Sequence, residues 1–152
     1  MPELATVTRS AVDIAAGRRT HPTAQNRVRV AVIDSASVYT AANADTFATG
    51  LVLPKGSRLL APVTLSNAAG AASSTLSLGL RNALTKEVID ATAIIAAAAL
   101  TSAQQVQLNT GTKMINGQYY VLPVDCEIFG TFGGATPTAN QAFRVEVSYD
   151  WA

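Results

Sequence analysis

Few residues in this chain could carry covalent chemistry. It holds one histidine, His21, and one cysteine, Cys126. A Ser-His-Asp triad would have to use His21, which sits in the loop-like run Arg19-Thr20-His21-Pro22. A general base needs a rigid site and an orienting partner. The pattern around His21 offers neither, so it reads as an ordinary loop histidine. Cys126 and His21 could in principle form a nucleophile pair. No glycine-rich elbow or helix start flanks the cysteine, which opens a strand with Ile128 on the same face. Cysteine is among the most often buried residues, so Cys126 reads as packing.

Metal sites need clustered ligands. Asp125 and Glu127 flank Cys126 on one strand face, and two carboxylates are too few for calcium without loop carbonyls. They read as a solvated strand face, and no metal or cofactor is expected. The glycines Gly130, Gly133 and Gly134 lack the lysine and following helix of a phosphate loop, and read as a hairpin loop. Tyr119, Tyr120 and Trp151 could stack on a sugar, but Tyr120 is in register with Leu122 and Val124, which favours packing. The sharpest charged feature is Arg18-Arg19. It is either a solvated pair or a basic latch onto an acidic partner, since arginine makes planar paired bonds to carboxylates.

Behind these residues stands a chain of 152 residues, 49% hydrophobic and only 14% charged. About 25% charged is usual. That length suits one domain able to bury a core without staples. One cysteine excludes an intrachain disulfide and fits synthesis in a reducing compartment. The net charge of +1 argues against a nucleic-acid binder working by bulk charge. The charge is uneven. Residues 1–29 carry five arginines (Arg9, Arg18, Arg19, Arg27, Arg29) against two acids, or +3. The rest carries six bases against eight acids, or −2. Copies could therefore attract head to body at short range. The start has no signal-peptide pattern, and the apolar run 91–100 is too short for a bilayer. No membrane is expected, and the protein reads as cytoplasmically made and soluble.

The elements that would position these residues are strands. Residues 1–26 show no strand period and read as an N-terminal arm, with a short helix over 8–17. Residues 27–152 form the domain. From Arg27 the period is two, with Val28, Val30 and Val32 on one face and Arg27 and Arg29 on the other. Further strands are predicted at 46–53, 58–66, 74–81, 105–109, 118–124, 126–132 and from Phe143. Pro62 suggests an edge or a bulge. Residues 58–66 and 74–81 read as an antiparallel hairpin. Residues 86–99 are ambiguous: alanine favours helix, a short helix or an extended crossover is expected, and 91–100 stays open between helix and strand. About eight short strands separated by turns predict an all-β sandwich or barrel.

A resemblance sharpens this. The stretch from Ala44 to Leu60, with Asp45 and Phe47 before a short strand, then Leu53-Pro54-Lys55-Gly56 and an apolar strand, resembles small virion proteins of tailed bacteriophages. Ser74-Thr-Leu-Ser-Leu-Gly-Leu80 and the closing Phe143-Arg-Val-Glu-Val-Ser-Tyr149 are similar to the same group. The resemblance spans roughly residues 44–150. It implies a capsid decoration (cement) protein with a jelly-roll-like sandwich, often a homotrimer, and no catalytic residue.

The expectation is therefore a non-enzymatic virion protein on the outer surface of a capsid. It would bridge subunits of the major capsid protein. The arm arginines Arg9, Arg18, Arg19, Arg27 and Arg29 would make capsid or inter-subunit contacts. Scarcity of charge fits surfaces covered by partners. Two rivals remain: a tail-tube, head-completion or fibre-base subunit, and a carbohydrate-binding adhesion module.

Overall fold

The structure is a computed structural model that describes residues 16–17, 27–115 and 120–151. The arm therefore lies outside the described residues except for Ala16 and Gly17. Eight strands run in order: β1 (Arg27–Asp34), β2 (Thr46–Leu53), β3 (Arg58–Asn67), β4 (Thr75–Asn82), β5 (Val88–Ala99), β6 (Gln104–Leu108), β7 (Cys126–Gly133) and β8 (Phe143–Trp151). A single helical turn, α1 (Thr112–Ile115), follows β6.

The strands form two antiparallel sheets, one ordered β1-β8-β3-β6 and the other β2-β7-β4-β5. The chain changes sheet at nearly every connection, and only β4 and β5 are a hairpin within one sheet. This order is the double-sheet jelly roll. It arises because each strand has one apolar row to bury. Leu59, Val63 and Leu65 of β3, Leu76, Leu78 and Leu80 of β4, and Val145 and Val147 of β8 are all buried in the shared core. Each fully buried leucine contributes about 1.5–3 kcal/mol.

Three expectations are corrected here. β3 and β4 are not a hairpin but lie in opposite sheets, because the loop Ala68–Ser74 is long enough to cross the sandwich and let both leucine rows face inward. Residues 88–99 are neither helix nor crossover but the strand β5. Its pairing with β4 breaks three times, and between Leu78↔Ile95 and Leu80↔Asp90 it carries extra residues. That bulge lies over Gly79, where a Cβ would come within 2.3 Å of the Asp90 carbonyl oxygen. Tertiary packing overrides the helix propensity of alanine. The described part of 118–124 is not a strand but a single bridge, Arg58↔Val121.

Pro62 does mark a bulge, since the β3–β8 register shifts between Leu60 and Thr64, yet β3 is an inner strand. In β1 the alternation holds, and the valine row is the one turned outward. Ala31 and Ile33 face the core.

Candidate assembly surface

No cluster of three or more metal-ligating side chains occurs among the described residues, and the features that stand out are surfaces. One is the outer side of β1. Val28, Val30 and Val32 are 62%, 53% and 37% exposed. Opposite them on β8 are Asp150, Ser148 and Glu146. A row of three exposed β-branched residues on one strand is more than scattered surface apolarity.

The second is a cleft of about 460 Å3 between the edge strands β1 and β2. Its floor is aromatic. Phe47 and Phe132 have ring centroids 5.1 Å apart, and Phe143 lies 5.9 Å from Phe47. Tyr39 stacks on Phe132 at 6.3 Å and donates its hydroxyl to the Gln141 carbonyl at 2.5 Å. Burial pushes the Tyr39 phenol up. Asp34 and Asp45 stand among the residues that line the cleft. β2 reaches this position through a bulge at Thr49-Gly50. The Thr49 hydroxyl donates to the Ile128 carbonyl at 2.6 Å, and Gly50 takes a φ of 74°.

The third lies on the far face of the second sheet from the core. The solvated-face reading of Glu127 is overturned: its side chain is only 7% exposed. Arg81 Nε donates to its Oε1 at 2.7 Å and Lys86 Nζ to its Oε2 at 2.7 Å. Lys86, then Arg81, hold the carboxyl below its usual range. The Arg81 guanidinium also lies 5.3 Å from the Phe129 ring centroid. Asp125, by contrast, accepts the Lys55 backbone N–H at 2.7 Å at the exposed turn.

The remaining candidates fall as follows. Cys126 is fully buried, and burial pushes its thiol up. Gly130 is not in a loop but within β7. Tyr120 is half-buried against the core, with Lys113 Nζ 4.5 Å from its ring centroid. His21, Arg9, Arg18, Arg19 and Tyr119 lie outside the described residues, as does the side chain of Trp151. Arg27 opens β1 with its backbone paired to Trp151, and Arg29 is exposed on the same strand. The Glu127 cluster was invisible in sequence because Arg81 is 46 residues away.

No family model and no curated protein sequence matches the chain. Solved structures do. A chain in the capsid asymmetric unit of cyanophage Pam1 matches with a TM-score of 0.56 at 23% identity, over 84% of this chain and 86% of that one. A chain in the capsid of Ralstonia phage GP4 matches with a TM-score of 0.61 at 16% identity, over 83% and 85%. At such identities the likeness establishes the fold: an eight-stranded jelly roll of a kind that phage capsids use.

Proposed function

We propose that this chain is a structural, non-enzymatic virion protein that decorates the outside of a phage capsid and bridges subunits of the major capsid protein. The observation that carries the reading is the match, over most of both chains, to capsid chains from two phages. Each alignment takes in more than four-fifths of both partners. The matched capsid chains are thus single sandwiches of similar size, which suits an accessory subunit.

The surface supports the reading. Exposed apolar residues lie at Val28, Val30 and Leu84, with little charge to solvate them. Many modest contacts repeated by symmetry sum to strong attachment. In this reading the arginines Arg9, Arg18, Arg19, Arg27 and Arg29 face acidic patches on the shell or on a neighbouring copy.

The test is binding of the purified full chain to capsids that lack it, followed by imaging. Decoration predicts regular density on the shell exterior at many equivalent positions. Binding only at the tail or neck would replace it with the connector reading. No binding, together with absence from virions, would defeat both.

A further inference from the structure

We propose that β1 is a pairing edge: two copies of this chain join through antiparallel β1–β1 contact about a two-fold axis at Val30. The inference does not depend on the capsid reading.

The four edge strands differ. β2 is interrupted by the Thr49-Gly50 bulge, β5 has three register breaks, and β6 is five residues long. β1 is eight residues in unbroken register with β8, from Arg27↔Trp151 to Asp34↔Arg144. It contains no proline, glycine or lysine. Natural edges are usually blunted by shortness, bulges, proline or charge. β1 has only the charges Arg27, Arg29 and Asp34 towards its ends, and its middle, Val30 to Ile33, has no such device. Among the described residues no strand pairs with its second edge.

The hydrogen-bond parity selects the register. Ser35 N–H donates to the Phe143 carbonyl at 2.9 Å. Antiparallel ladders alternate, so the odd residues of β1 bond β8, and the N–H and C=O of Val28, Val30 and Val32 point to the open edge. A two-fold at Val30 sets Val30 against Val30 and each Val28 against the other copy's Val32. All three are hydrogen-bonded pairs, with two bonds each. The same register stacks the exposed valines of both copies side by side on one face, where β-branched cross-strand pairs are favourable.

Charge does not oppose the pairing. In this register Arg27 falls opposite Ile33 and Arg29 opposite Ala31, so no like charges face each other, and the Asp34 carboxylate is held by Arg144 at 3.2 Å. Contact of one patch with itself closes at two copies.

The test is the mass of the full chain in solution, measured across concentration. Wild type is expected at twice 15.7 kDa or another even multiple. Val30→Lys places a charge in the valine row. Val30→Pro removes a donor that β8 does not use. Both should halve the mass while the fold, checked by circular dichroism, is kept. In wild type the amides of Val28, Val30 and Val32 should exchange more slowly as concentration rises. A monomer at all concentrations, a threefold assembly, or a mass that both variants leave unchanged would overturn the proposal. So would fast, concentration-independent exchange at the three amides.

Discussion

Phe47 on β2 stands across from Gly130 on β7, and its ring fills the space that a side chain at 130 would need. A Cβ there would lie 2.0 Å from the ring's Cζ. The missing side chain at 130 thus lets edge strand β2 lay an aromatic on the floor of the β1–β2 cleft. Gly130→Ala should displace the ring and cost about 1–3 kcal/mol, the range for overpacking. Combining it with Phe47→Leu should cost less than the sum of the two, because the shared clash is removed. Urea unfolding of the four proteins reads this. An additive result would mean that the ring does not depend on the glycine.

The Glu127 cluster makes stability depend on acid. Its folded pKa lies below the ordinary 4.5. The stability it supplies is therefore complete above that ordinary value and is lost as pH falls through the lower folded one. Glu127→Gln should flatten this part of the stability–pH curve. At neutral pH it should cost about 1–3 kcal/mol, less than for a fully buried pair because Lys86 is half exposed. Denaturant titrations from pH 7 down to about pH 3, below the usual carboxylate range, would show it. Parallel curves for wild type and variant would contradict the role.

Cys126 is buried with its thiol pushed up, and thiolate is the reactive form. Alkylation by iodoacetamide should be slow in the native protein and fast once it is unfolded. Rapid native labelling at neutral pH would show that the start of β7 opens to solvent.

Leu84 is 90% exposed at the tip of the β4–β5 turn. Leu84→Ser should change folding stability by no more than about 0.5 kcal/mol, as for surface positions without special contacts. A loss of attachment to capsids with unchanged stability would place this tip in the contact. A large loss of stability would show that the leucine packs.

Most strands were legible because one of their faces is apolar. β4 and β8 alternate, and β3 does so on either side of its bulge, so that all three bury the leucines and valines that period two selects. β5 was hidden because its bulges break the alternation and its composition is mostly alanine. The expected number of strands still came out near eight, since 118–124 was counted and 88–99 was not. The sense of β1 was not legible, because both faces are apolar: Val28, Val30 and Val32 on one, Ala31 and Ile33 on the other. Only the β1–β8 pairing decides which row is covered. The surfaces were less legible than the fold. Glu127 meets Arg81 and Lys86 only through sheet register, and the aromatic cleft gathers Tyr39, Phe47, Phe132 and Phe143 from distant parts of the chain.

The most direct test of the proposed role is cryo-electron microscopy of the virion that carries this chain. Decoration predicts the jelly roll as regular density on the outer face of the shell, touching at least two major capsid subunits at each site. Density confined to the tail or neck, or none on the particle, would contradict it.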